Sequence, residues 1–88
     1  MTQILKNEPD EVSQDELVVQ TILGNIPRLA RDQDLLAEDL IGRDVWKTFT
    51  TGMRIFLGGV VYRLVERKLL PIIYVGKTSS NKNIYRLN

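Results

Sequence analysis

Residues 51–76 read TGMRIFLGGVVYRLVERKLLPIIYVG. At 3.6 residues per turn Met53, Leu57, Val60 and Leu64 fall in one line, and Val61 and Val65 widen it, which predicts an amphipathic helix lying on a core. The helix is expected to run through Leu70 to Pro71, and the β-branched run after the proline predicts a strand. The opposite sector gathers Gly52, Gly59, Arg63, Glu66 and Arg67, all small or charged. Gly58 and Gly59 each cost about 1 kcal/mol relative to alanine inside a helix. Close packing, a kink or a partner's backbone must account for them, and helix packing is the plainer explanation.

Downstream, IIYVG and NIYRL flank KTSSNK, a polar run rich in turn formers, which predicts a β-hairpin. Pairing Val75 with Tyr85 and Ile73 with Leu87 puts four apolar side chains on one face and Tyr74 and Arg86 on the other. The loop is then Lys77 to Asn83.

Upstream, Ser13-Gln14-Asp15-Glu16 forms a capping box, so a first helix is expected to start at Ser13. Its apolar face is Leu17, Val18, Thr21 and Ile22, and Gly24-Asn25 supplies an ending before Pro27. Asp15 and Glu16 suit the positive end of that helix. Residues 1–12, acidic and poor in apolar side chains, are expected to be a disordered arm, leaving 13–88 as the domain. RLARDQ (28–33) is a polar connection. Asp32 or Asp34 is placed to cap a second, short helix that buries Leu35, Leu36, Leu40 and Ile41 and ends at Gly42. Val45, Trp46 and Phe49 fit either a further helical turn or a loop pinned into the core, with Trp46 as core or as a stacking platform. Thr50 or Thr51 caps the long helix.

The chain has 88 residues, enough for one domain with a modest core. It has no cysteine and no histidine, which excludes a disulfide framework, the usual zinc ligand sets and any histidine base. No cofactor or metal is expected. There is no run of about 18 apolar residues, and MTQILKNEPDE lacks the basic start and apolar centre of a signal peptide, so a soluble cytoplasmic protein without membrane contact is expected. The formal charge of +1 conceals a division. Residues 1–44 hold ten acids against four bases, net −6, whereas 45–88 hold eight bases against Glu66 alone, net +7. A basic half attracts phosphates, and an acidic half keeps the remainder away from them.

Three helices, the third longest, followed by a hairpin with a basic tip resemble the winged helix-turn-helix domain of small bacterial and phage regulators. The resemblance covers residues 13–88 and is carried most fully by VYRLVERKLLPIIYVGKTSSNKNIYRL. It implies an α+β, mainly α, fold with a C-terminal two-stranded wing, and double-stranded DNA as partner. It also implies helix contacts by Gly59, Arg63 and Arg67, with Thr50, Thr51 and Arg54 near the helix start. The wing contacts would be Lys77, Thr78, Ser79, Asn81 and Lys82. Arginine suits guanine edges, while lysines and hydroxyls suit phosphate oxygens. Ile55 and Phe56, however, stand where such helices carry polar residues, which shifts the expectation towards phosphate contact.

The competing readings are structural. Wing lysines keep exposed hairpins soluble, and Arg63 or Arg67 can pair with acids of the first half such as Glu38 or Asp39. Asp15 and Glu16 are adjacent on a helix and do not face each other. Gly76-Lys77-Thr78 lacks the context of a phosphate-binding loop, and no catalytic triad can be assembled, so no enzymatic activity is expected. The functional expectation is a DNA-binding regulator, or an accessory factor of recombination or replication, of phage, prophage or bacterial type. A homodimer would place half-sites about 34–36 Å apart. The alternative is a winged-helix protein-interaction module using Ile55 and Tyr62 or the acidic face, including an antirepressor-type inhibitor.

Overall fold

The structure is a computed structural model that describes residues 10–88, with side chains from Gln14 onward. Helix α1 spans Asp10–Asn25 and runs into a 3-10 turn, Ile26–Arg28. Two short helices follow, α2 at Ala37–Ile41 and α3 at Arg43–Trp46, and then the long helix α4 at Thr51–Glu66. Strands β1 (Ile72–Lys77) and β2 (Asn83–Leu87) form an antiparallel hairpin, and about half of the chain is helical.

The first helix starts three residues before the expected capping box. The backbone runs through Ser13 without a break. Of the expected arm, residues 1–9 lie outside the described residues, while 10–12 belong to α1. Ile22 is fully buried and Val18 and Val19 pack against the core, but Leu17, expected on the buried face, is exposed.

The short helices are held by polar contacts that no local pattern announces. Asp39 Oδ2 accepts from the Leu36 amide at 2.8 Å, so the start of α2 is satisfied from within rather than by Asp32 or Asp34. At the other end, the Asn25 side-chain amide donates to the carbonyls of Leu40 and Ile41 at 2.8 and 3.1 Å, which ties α1 to the last turn of α2. Gly42 then takes φ 117°, a conformation that favours glycine, and the chain re-enters a helix for one turn. Trp46 meets Phe49 edge-on, with centroids 5.9 Å apart, and both pack against the core, as the apolar spacing allowed.

Helix α4 begins as expected, with Thr50 Oγ1 accepting from the Met53 amide. Val60, Val61, Leu64 and Val65 are buried and Leu57 is partly so, whereas Met53 is exposed. The helix does not reach Leu70. It closes at Glu66, where the Leu69 amide donates to the Leu64 carbonyl and the Lys68 amide to the Val65 carbonyl, with Lys68 left-handed at φ 61°. This crossed pair of bonds ends helices without needing proline and frees Leu70 to turn into the core. Lysine at the left-handed position carries a Cβ penalty that glycine lacks. Lys68→Gly is therefore expected to raise stability by about 1 kcal/mol, read as a higher urea midpoint at unchanged slope.

The hairpin register differs from the simple pairing. Ile72 faces Leu87, Ile73 faces Arg86 and Tyr74 faces Tyr85, and then the register shifts so that Gly76 faces Ile84 and Lys77 faces Asn83. The extra residue is Val75. This bulge reverses which side chains of the strand's first half point inward. Ile72 is buried and Tyr74 is packed against the core, while Ile73 and Val75, expected inside, are exposed. The strands extend through Lys77 and Asn83, so the loop is only Thr78 to Lys82.

Leu35 adds one further pairing. Its amide donates to the Tyr85 carbonyl at 2.8 Å and its carbonyl accepts from the Tyr85 amide at 2.7 Å, an isolated antiparallel bridge that places the segment before α2 beside β2. Leu35 and Tyr85 join Ile22, Leu40, Ile41 and the buried face of α4 in one core.

Candidate nucleic-acid interface

Between α4, the α2–α3 segment and the hairpin lies an open groove of about 880 Å³. Its α4 wall is Thr51, Arg54, Ile55, Gly58, Gly59 and Tyr62, and the hairpin contributes Tyr74, Lys77, Asn81, Lys82 and Asn83. Glu38, Trp46 and Lys47 close the third side. Four cations and one carboxylate therefore face the same space, which is the charge sign expected of an anion-binding surface.

Six of the residues expected to contact DNA meet in this groove: Thr51, Arg54, Gly59, Lys77, Asn81 and Lys82. Arg54 is already engaged, its guanidinium donating to the carbonyls of Trp46 and Lys47 at 3.2 and 3.3 Å, so it closes the end of α3 as well as lining the wall. Lys77 Nζ is 3.2 Å from Asn81 Oδ1, and Lys82 Nζ is 3.9 Å from Glu38. Both contacts are exposed, and pairs of this kind contribute about 0–1 kcal/mol, so an incoming phosphate can displace them.

The other five lie elsewhere. Thr50 caps α4 with its hydroxyl. Thr78 works inside the loop, its Oγ1 accepting from the amides of Ser80 and Lys82 at 3.2 and 3.1 Å, while Asn81 closes the turn at φ 69°. Ser79 is exposed at the loop tip. Arg63, expected on the outward face, turns towards α1 and donates to Asp15 at 2.6 Å, so the acidic partner is Asp15 rather than Glu38 or Asp39. Arg67 follows the last residue of α4 and does not line the groove.

Lys47, Tyr74 and Asn83 line the groove without having been singled out, and Tyr62 was singled out only for a protein partner. For Tyr62 the signal was present, because Ile55, Gly58, Gly59 and Tyr62 share one helical face by the same periodicity that marks the core. Lys47 sits where the sequence left two conformations open, and the inward turn of Tyr74 depends on the bulge at Val75.

The two mid-helix glycines are not explained by packing among the described residues. A Cβ built on Gly58 or Gly59 meets nothing within 4 Å. Their backbone is a bare strip in the middle of the groove wall, flanked by Ile55, which is 72% exposed, and Tyr62, which is 37% exposed. Tyr62 and Tyr74 stand edge to face at 5.3 Å, and Tyr74 and Tyr85 at 6.1 Å. The nearby Glu66 carboxylate pushes the Tyr62 phenol up from its ordinary value. Tyr85 is fully buried, its hydroxyl has no hydrogen-bond partner among the described residues, and desolvation pushes it up to about 12.

No group of three or more potential metal ligands occurs among the described residues, and none of the described helices is long and apolar enough to cross a membrane. The chain is thus a small α+β domain, its helices followed by an antiparallel hairpin, with a lysine-bearing groove between the two. Residues 20–86 match DUF1413, a domain of unknown function, and the chain belongs to that family. No curated protein and no solved structure matches it.

Proposed function

We propose that the chain is a winged helix-turn-helix domain that binds nucleic acid in the groove between α4 and the hairpin. The observation that carries this reading is convergence: Lys47, Lys77 and Lys82, from two segments distant in sequence, face one space walled by bare glycine backbone. Lysines suit phosphate oxygens, and a helix wall without side chains at Gly58 and Gly59 admits a sugar-phosphate chain closely. The bridge of Leu35 to Tyr85 supports the fold assignment, since a one-residue β-bridge between the first and second helices, beside the second hairpin strand, fits a winged helix better than a free two-stranded hairpin. Within this reading the domain serves a regulator or an accessory factor of recombination or replication.

The test is fluorescence anisotropy with labelled oligonucleotides, single- and double-stranded, at about 50 and 200 mM salt. Binding is expected to weaken with salt. Lys47→Ala/Lys77→Ala/Lys82→Ala is expected to lower the slope of log affinity against log salt by about 2–3, while Arg63→Ala leaves it unchanged. Absence of binding to both forms at the lower salt, or a triple variant that binds like the parent, overturns the reading.

One observation favours a protein partner instead. Ile55 and Phe56, 72% and 49% exposed on adjacent positions of α4, form an apolar surface of the kind found in interface cores. A second copy of the chain or another protein seated there would give association that is insensitive to salt.

A further inference from the structure

We infer that the groove takes a single nucleic-acid strand, with bases stacked against Tyr62 and Ile55 and phosphates along the lysines, rather than a double helix read in its major groove. The inference rests on the nucleic-acid reading above and specifies its form.

A helix that reads a duplex enters the major groove with polar side chains matched to the donors and acceptors of the base edges. On the groove wall α4 presents Ile55, Gly58 and Gly59, none of which has a side-chain donor or acceptor, beside Thr51 and Tyr62 with one hydroxyl each. The arginines that would supply bidentate contacts are already engaged: Arg63 is held by Asp15 away from the groove, and Arg54, on the groove wall, donates to the carbonyls of Trp46 and Lys47. What the helix does offer is apolar and aromatic surface, which suits the faces of bases and not their edges. In a duplex those faces are stacked on one another and out of reach. In a single strand they are free, and stacking on aromatic side chains beside a basic track is how single strands are held without sequence readout.

The arrangement across the groove fits the same form. Tyr62 on α4 and Tyr74 on β1 meet edge to face at 5.3 Å, which fixes the Tyr62 ring against the hairpin while leaving it 37% exposed. Lys77 and Lys82 lie on the hairpin wall and Lys47 on the third side, so cations border the aromatic surface on two flanks. The cavity of about 880 Å³ is within the range of about 300–1,000 Å³ typical of small-ligand sites. It has room for a short run of nucleotides. Tyr85 lies beneath Tyr74 as the buried floor of the groove.

The experiment compares a labelled oligothymidylate of about 12 nucleotides, within the about 4–16-nucleotide span of single-strand sites, with a labelled duplex of mixed sequence. Both are titrated against the full chain, Tyr62→Ala and Tyr62→Phe, with each variant's fold checked by circular dichroism. The parent is expected to bind the single strand more tightly than the duplex. Tyr62→Ala is expected to weaken single-strand binding by about 5- to 150-fold and Tyr62→Phe to stay close to the parent, because stacking needs the ring and not the hydroxyl. Duplex binding equal to or tighter than single-strand binding overturns the inference while sparing the nucleic-acid reading. A folded Tyr62→Ala variant that binds oligothymidylate like the parent overturns it as well. Failure of the parent to bind either probe overturns both together.

Discussion

Leu64→Ala is expected to destabilise the domain by about 2–5 kcal/mol. Leu64 is fully buried in the last turn of α4, in the same core as Ile22, Leu40, Val61 and Tyr85, which are also without solvent exposure. These residues come from α1, α2, α4 and β2, so a cavity at Leu64 weakens every layer at once. The lost transfer energy and the unfilled space add, and domains of this kind have only about 5–15 kcal/mol in total. A substantial fraction of the variant would be unfolded at physiological temperature. Urea unfolding monitored by Trp46 fluorescence checks this, with a lower midpoint and unchanged slope expected. Ile55→Ala, one helical face away and 72% exposed, is the control and should stay within about 0.5 kcal/mol of the parent. Similar midpoints for the two variants would mean that the helix is docked on another face.

The second large effect concerns alkaline pH. Burial pushes the Tyr85 phenol from 10 up to about 12, because a phenolate would lose its water inside the core. The folded state thus holds this proton more tightly than the unfolded chain. Its contribution is fully present below about pH 10 and is lost as pH rises towards about 12, a loss of about 2–3 kcal/mol from this residue. Tyr85→Phe removes the titrating group and the unpartnered hydroxyl together. The variant should be at least as stable as the parent at pH 7 and should lack most of the decline between pH 10 and 12, as read from urea midpoints across that range. Parallel decline of parent and variant would show that Tyr85 is not the group responsible.

What the sequence made legible follows from how local each determinant is. The buried stripe of α4 was readable because Val60, Val61, Leu64 and Val65 repeat at the helical period, and Thr50 was readable as a cap because capping is decided within four residues. The hairpin was readable as a hairpin, but its register was not. A single bulged residue, Val75, decides which of Ile72 to Val75 point inward, and alternation alone carries no sign of an inserted residue. The Leu35–Tyr85 bridge joins positions fifty residues apart through backbone atoms that every residue possesses, so no side-chain pattern could mark it.

The candidate site divides in the same way. Lys77, at the end of β1, and Asn81 and Lys82, in the short loop after it, are close in sequence and were found together. Arg63 and Arg67 were grouped with Gly59 by a coarse division of the helix into inward and outward halves. The outward half has two flanks, and Asp15 on α1 captures Arg63 on one while the groove occupies the other. The glycines posed the right question, since a Cβ on either meets nothing within 4 Å among the described residues, and only the folded arrangement places them in a groove wall between cations.

The most direct test of the groove as a nucleic-acid site is a titration of the ¹⁵N-labelled chain with oligothymidylate at low salt, followed by amide NMR shifts. The account predicts the largest shifts at Gly58, Gly59, Tyr62, Lys77 and Lys82, on the two facing walls, with Asp15 and Arg63 unmoved. Shifts concentrated around Asp15, Arg63 and Arg67, or a spectrum that does not change, would contradict it.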